Sequence, residues 1–331
     1  MRLSVVLVIA LALSNGFAAR REFSREFQKA AARGAQAKEC LHIVDQDGVP
    51  VPDAKVSLIV WRTRSPSDAR CSSGMTDTQG IFVAEGVVGL EMRCVVEKDG
   101  YYMTKHKFKY GYSKKPDELK DGKWLPYGTT TTLTLKKIIN PVVKGGSYMN
   151  REVPALDEWL GFDLQDRDWV APFGKGRVCD VKIRMTWRKS GSNDFGAKME
   201  LRFDETPKSG AYFKTKDAFS EFQTVYKAEP AASYTSEFAF EIDRSEDKIR
   251  ISNVFGEDRY FVYRVRTQLD DKGEIKSAHY GTIHGDWNFC PAQWMRIENV
   301  FFNEKENDLN LEDTQAAECV KLRIRDSKQV E

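Results

Sequence analysis

Asp163, Asp166 and Asp168, followed at once by Trp169, form the densest carboxylate cluster of this 331-residue chain. Hard oxygen donors this close together are what a calcium ion requires, and a pair of carboxylates at fixed separation is what acid–base hydrolysis requires. The D-x-x-D-x-D spacing does not match a defined calcium loop, and a solvated turn before a strand accommodates it as well. Asp45-x-Asp47-Gly48 reads as a hairpin signature rather than the start of a calcium loop. Trp169 and Trp287 stand beside Asp168 and Asp286 in expected loops, where exposed indole rings could form a platform for a sugar ring. Trp187 and Trp294 fall in strand-like segments and are expected in the core.

Other catalytic constellations are thin. The four histidines are His42, His106, His279 and His284, and the chain contains no G-x-S-x-G, H-E-x-x-H or Walker-type loop. His279 and His284 fall on opposite faces of an unbroken strand, so they cannot share a metal without a bulge. Gly174-Lys175-Gly176 lacks the remainder of a phosphate loop and reads as a turn. The six cysteines are Cys40, Cys71, Cys94, Cys179, Cys290 and Cys319, and no C-x-x-C pair marks a metal set. Cys71 with Cys94 is the favoured disulfide, and closing that loop would restrict the unfolded chain by about 3 kcal/mol. With three cysteines on each side of a boundary near residue 140, either one bridge crosses it or one thiol on each side stays free.

The elements that must position these residues begin with an export signal. One basic residue, Arg2, precedes the apolar run Leu3 to Leu13, and Gly16-Phe17-Ala18-Ala19 supplies small residues for cleavage. The run is about half of the roughly 20 residues needed to cross a bilayer, so it reads as a signal peptide over 1–19, and no other stretch reads as a membrane span. Residues 20–38 carry six basic side chains against two acidic ones, with Phe23, Phe27 and Ala30 at helical spacing. They form a basic, helical lead-in whose Phe side chains dock on the body. The 51 Lys and Arg against 49 Asp and Glu give a net charge of +2, so the chain beyond this arm is mildly acidic. Nucleic-acid binding is excluded as a bulk function, because the later basic residues interleave with acids along strands.

From Cys40 the pattern is short β-segments punctuated by turns, at the spacing of a β-sandwich. Val44 to Val56 (VDQDGVPVPDAKV), Thr76 to Phe82 (TDTQGIF) and Val96 to Tyr101 (VEKDGY) follow one another in order. These strings resemble the carboxypeptidase regulatory-like domain, a transthyretin-like β-sandwich, over about residues 40–137. The resemblance implies a non-catalytic accessory module that serves secreted proteins as a spacer or contact surface.

Asn140-Pro141 to Pro154 reads as a linker. Beyond it, Cys179, Val181, Ile183, Met185 and Trp187 alternate with polar residues, as do Ala197, Met199, Leu201 and Phe203. Asp270-Asp271-Lys272-Gly273 turns a long hairpin. With no long helical pattern after residue 40, the second half reads as a larger antiparallel sandwich or jelly roll.

The expected organisation is a signal peptide over 1–19, a basic lead-in over 20–38, the regulatory-like sandwich over 39–138, a linker over 139–154, a second all-β domain over 155–326 and a tail over 327–331. No cofactor is required, calcium at Asp163, Asp166 and Asp168 being the one ion the sequence could accommodate. The functional expectation is a secreted or periplasmic, non-enzymatic protein that binds a protein or glycan partner through Trp169 and Trp287. The alternative is a hydrolase using the clustered carboxylates. A purely structural subunit would instead show itself by self-association through an exposed strand edge.

Overall fold

The computed structural model describes residues 25–62, 68–111, 118–142, 149–189, 194–245, 248–252, 259–284, 288–290, 294–297 and 299–313. The signal-peptide span, Phe23, Trp287 and Cys319 lie outside them. The described chain is all-β apart from one short helix, α1 (Arg25–Arg33). Phe27 of α1 meets the edge of Trp124 at 5.6 Å and Ala30 is buried, so the lead-in docks on the body as its apolar spacing requires. The helix stops at Gly34, whose φ of +82° lets its N–H return to the Ala30 carbonyl.

The first unit contains β1 (Ala35–Asp45), β2 (Lys55–Trp61), β3 (Ala69–Met75), β4 (Ile81–Val88), β5 (Glu91–Glu97), β6 (Thr104–Lys109), β7 (Leu119–Lys120), β8 (Lys123–Trp124) and β9 (Thr129–Leu135). One sheet centres on β1, which pairs antiparallel with β4 and parallel with β9 and β8. The other runs β3-β2-β5-β6, antiparallel throughout. Alternation in β1, β2 and β5 points Leu41, Ile43, Val56, Leu58, Met92 and Val96 into the space between the sheets. Each such buried side chain contributes about 1.5–3 kcal/mol. The expected turns close the strands: the Asp45 carboxylate accepts the N–H groups of Asp47 and Val49, and the Asp77 carboxylate those of Gln79 and Ile81.

The second unit contains β10 (Met149–Glu152), β11 (Leu160–Asp163), β12 (Asp168–Trp169), β13 (Val181–Lys189), β14 (Phe195–Arg202), β15 (Gly210–Thr215), β16 (Glu237–Ser245), β17 (Lys248–Ser252), β18 (Arg259–Leu269), β19 (Ile275–His284), β20 (Asn288–Cys290), β21 (Trp294–Ile297) and β22 (Asn299–Phe302). A six-stranded sheet, β12-β11-β13-β14-β16-β17, faces a four-stranded sheet, β15-β18-β19-β22, while β10-β21-β20 forms a third. Ile183, Met185, Met199, Leu201 and Phe240 meet Phe261, Tyr263, Val265 and Ile283 in the main core. The four-stranded sheet is buried on both faces: Tyr260, Val262, Ala278, Tyr280 and Phe301 pack beneath Ala228 and Leu311. That double burial is why β18 reads as a nearly continuous apolar run instead of alternating.

The two units are joined by packed contacts. Tyr102 packs at 5.1 Å, tilted, against Phe222, which meets Tyr226, and Lys136 Nζ donates to the Phe222 carbonyl. Glu312, 1 % exposed, accepts the Tyr102 hydroxyl at 2.8 Å and the N–H groups of Ile139 and Asn140 at 2.9 and 2.6 Å. Part of the expected linker is thus tied down at 139–140, and another part, 149–152, is strand β10.

Candidate functional site

The carboxylates singled out in the sequence come together with two residues that were not. β11 and β12 form a small hairpin in which Asp163 lies opposite Asp168, turned through Arg167 at φ +56°. Asp163 Oδ1 accepts the N–H groups of Gln165 and Asp166, and Oδ2 those of Arg177 and Val178, all at 2.9 Å. Arg266 reaches the same group from β18. Its Nε and Nη2 fork onto Asp180 at 2.8 and 2.9 Å, Nη2 also lies 3.1 Å from Asp163 Oδ1, and Nη1 donates to Gln165 Oε1 at 2.7 Å. A register irregularity after Val265 and a φ of +54° turn Arg266 to this task, and its guanidinium lies 4.6 Å from the Phe302 ring. Burial pushes the Asp180 carboxyl above its ordinary pKa, with the hydrogen bonds and charge of Arg266 acting against that rise.

Asp166 is held outside this buried pair by the Arg177 fork, at 2.7 and 2.8 Å, which keeps its carboxyl below the usual range. Asp168 accepts the N–H groups of Trp169 and Lys175. Gly174 and Gly176 allow this closure, since a Cβ at Gly174 would lie 2.3 Å from the Trp169 carbonyl oxygen and one at Gly176 2.8 Å from that of Asp168.

Several expectations are corrected by this geometry. The calcium reading fails because oxygens of Asp163, Asp166 and Asp168 are turned to N–H donors and guanidinium groups, leaving no converging cage; among the described residues no three His, Cys, Asp or Glu could hold a metal ion. The carboxylates named for the hydrolase alternative are engaged in the same way, by backbone N–H and guanidinium groups. Trp169 is no platform, being 3 % exposed, edge-on to Phe162 and bonded through Nε1 to the Glu152 carbonyl. Trp294 is the reverse case, 47 % exposed at the start of a short strand, while Trp187 packs against the core as expected.

Cys71 and Cys94 do not pair. Cys71 lies opposite Ile59, and Cys94 opposite Leu58, so the two side chains leave their sheet on opposite faces with β2 between them. Both thiols are free, Cys71 exposed and Cys94 buried, and burial lifts Cys94 to a pKa of about 11. Among the histidines, His279 stacks on Phe302 and its Nδ1 lies 3.1 Å from the Asn303 carbonyl oxygen, a packed role.

An open depression lies on the outer face of the six-stranded sheet. Register places Thr186, Lys198 and Glu241 in one row and Arg188, Gly196 and Asp243 in the next. Gly196 has no side chain, so Arg188 and Asp243 close over it at 3.3 Å, and a Cβ there would lie 2.9 Å from Asp243 Oδ1 and 3.1 Å from Arg188 Nη2. The hollow, about 390 Å³, extends to Asp157, which stands at φ +65° with its N–H on the Met185 carbonyl. Beside it, Trp159 is flanked by the guanidinium groups of Arg184 and Arg202 at 4.6 and 4.3 Å. Three carboxylates, Asp157, Glu241 and Asp243, face two cations, Arg188 and Lys198, leaving one negative charge in excess. Sequence reading passed over this face because an alternating charged strand looks the same whether or not it borders a depression.

No family model and no curated protein matches the chain. Solved structures similar to part of it include the 3-chlorocatechol 1,2-dioxygenase of Rhodococcus opacus 1CP, at 15 % identity and TM-score 0.27, covering 32 % of this chain and 61 % of that one. The catechol 1,2-dioxygenase of Acinetobacter sp. ADP1, with bound mercury, matches at 13 % identity and TM-score 0.25, over 32 % of this chain and 54 % of that one. The hydroxyquinol 1,2-dioxygenase of Pseudomonas putida DLL-E4 matches at 13 % identity and TM-score 0.24, over 32 % and 57 %. The chain thus spans little more than half the length of these proteins, and a likeness of this extent carries no activity across. With Trp169 buried, the reading as a glycan- or envelope-binding scaffold that uses Trp169 as its platform is withdrawn. No helix of the described residues is long and apolar enough to cross a membrane.

Proposed function

We propose that this is an exported protein that recognises a basic ligand, a lysine- or arginine-bearing segment of a protein partner, in the depression bounded by Asp157, Lys198 and Glu241. The observation that carries this reading is the unbalanced carboxylate. Arg188 is matched by Asp243 and Lys198 by Glu200 and Glu241, whereas among the described residues no hydrogen bond or ion pair engages the Asp157 carboxylate. A ligand ammonium or guanidinium completes the charge balance, and its aliphatic stem lies in the depression beside Asp157 and Lys198. Each exposed ion pair contributes only about 0.2–1 kcal/mol, so binding is weak and salt-sensitive.

The first unit, in the same proposal, is a carboxypeptidase regulatory-like module that carries the recognition unit. Support comes from the Asp45 and Asp77 turns described above and from the positive φ of Gly48, Gly80 and Gly100, which the three motif strings place at their turns. Export is supported by the Arg2 to Ala19 pattern alone.

Titration calorimetry with tetralysine and with tetraglutamine tests the ligand reading. Tetralysine is expected to bind, to weaken several-fold as salt rises, to weaken about two- to fivefold with Asp157→Asn and to be lost with Gly196→Leu, whose side chain would project into the depression. Equal binding of both peptides, or no effect of either substitution, would sink it.

A further inference from the structure

We infer that the open edge of β3 is a self-association surface, through which two copies of this chain join their β3-β2-β5-β6 sheets into one eight-stranded sheet. The two edges of this sheet are treated differently. At β6, the second unit adds a segment in strand fashion: Lys105 N–H donates to the Phe219 carbonyl, Glu221 N–H to that of Met103, and Thr104 bridges Ser220. At the other edge, β3 pairs with β2 alone among the described residues.

The orientation of the free groups follows from Thr76. Its N–H donates to the Ala54 carbonyl and its own carbonyl accepts from Asp53, so Thr76 faces β2. The pleat alternates, and Gly74, Ser72 and Arg70 therefore also turn their backbone groups to β2, while Ala69, Cys71, Ser73 and Met75 turn theirs outward. The strand is seven residues long, without proline, lysine or an acidic residue, and so lacks the usual devices that block edge pairing. The neighbouring edge strand β4 differs in carrying the charged Glu85, engaged with Lys38 and Tyr127.

A second copy is the occupant that β3 fits, because the strand is complementary to itself. An antiparallel pairing about a two-fold axis through Ser72 sets Ala69 against Met75, Arg70 against Gly74, Cys71 against Ser73 and Ser72 against Ser72 of the second copy. Each large side chain meets a small one, and the strand's one charge meets its one residue without a side chain. In this register both members of every hydrogen-bonded pair are outward-facing residues, and all seven positions pair. The place above Gly74 is already taken by an aromatic ring, since a Cβ there would lie 2.6 Å from Phe82 Cε2, and Arg70 of the second copy would lie against that ring. The contact is isologous and closed, so pairing stops at two.

Sedimentation velocity of the full mature chain under reducing conditions, from about 1 to 100 µM, tests this. The wild type is expected to shift from monomer to dimer with concentration. Ser72→Lys and Ser72→Asp, which place like charges against each other across the axis, are each expected to stay monomeric, and their equimolar mixture is expected to dimerise again. Hydrogen exchange supplies a second readout: the Cys71 and Ser73 amides of the wild type are expected to slow at least tenfold at the dimeric concentration. A wild type that remains monomeric, a dimer indifferent to Ser72→Lys, a mixture that fails to recover, or unchanged exchange at Cys71 and Ser73 overturns the inference.

Discussion

Asp180 and Arg266, 86 residues apart in sequence, meet as a two-pronged ion pair in which the Asp180 side chain is wholly buried and the arginine one-fifth exposed. The arginine also spans Asp163 and Gln165, so one side chain from the four-stranded sheet closes the 163–180 loop of the six-stranded sheet.

Removing that arginine leaves two buried carboxylates facing each other. Arg266→Ala is expected to cost about 3–5 kcal/mol, measured by urea unfolding. Arg266→Lys recovers less than half of this, because a single ammonium cannot fork onto Asp180 while reaching Gln165.

Glu39 faces into the first sandwich, 4 % exposed, bonded to the Tyr110 and Thr129 hydroxyls at 3.1 and 3.4 Å. Burial raises its carboxyl pKa above the ordinary 4.5. A raised carboxyl pKa means that the folded state holds its proton longer than the unfolded one, so this group favours folding at low pH and opposes it as pH climbs through the raised value. Glu39→Gln is therefore expected to raise the melting temperature near neutral pH and to change it little below about pH 4. Thermal unfolding of both proteins across that range checks the sign.

Gly80 and Gly48 both adopt positive φ, yet their substitution costs differ. At Gly80 a Cβ would lie 2.4 Å from the Ile43 carbonyl oxygen, whereas at Gly48 it meets nothing within 4 Å. Gly48→Ala is expected to cost about 1 kcal/mol from conformation alone, and Gly80→Ala about 3 kcal/mol or more. Denaturant midpoints measured side by side separate the two.

Glu312 joins the units through Tyr102 and the backbone of 139–140. Glu312→Ala orphans three donors at once and is expected to cost about 3 kcal/mol or more. Calorimetry is expected to show the single unfolding transition of the wild type splitting into two, as the first sandwich uncouples from the second.

β-grammar and turn chemistry are local, and they were legible in sequence. Asp45-x-Asp47-Gly48 and Asp77 to Gly80 close turns through bonds spanning no more than four residues, so their neighbours suffice to define them. The alternation of β13, β14 and β16 likewise declares which residues face a core before the opposing sheet is known. The cluster Asp163, Asp166 and Asp168 was visible as a cluster, but its chemistry was not. Whether a carboxylate binds metal, attacks a substrate or caps backbone amides depends on what faces it, and here that is Arg177 and Arg266.

The remaining decisions belong to tertiary structure. Cys71 and Cys94 looked like partners by spacing, but β2 lies between their strands and the pleat sends them to opposite faces. Trp169 and Trp294 exchanged their expected environments, because burial is a property of the space a side chain enters and not of its neighbours in sequence. By itself the sequence determined that this chain is an all-β protein with its turns in place. Only the packing of sheets decided that its acids lock a loop, that a depression forms beside Asp157 and that β3 pairs with β2 alone among the described residues, since each depends on distances between residues that local pattern does not carry.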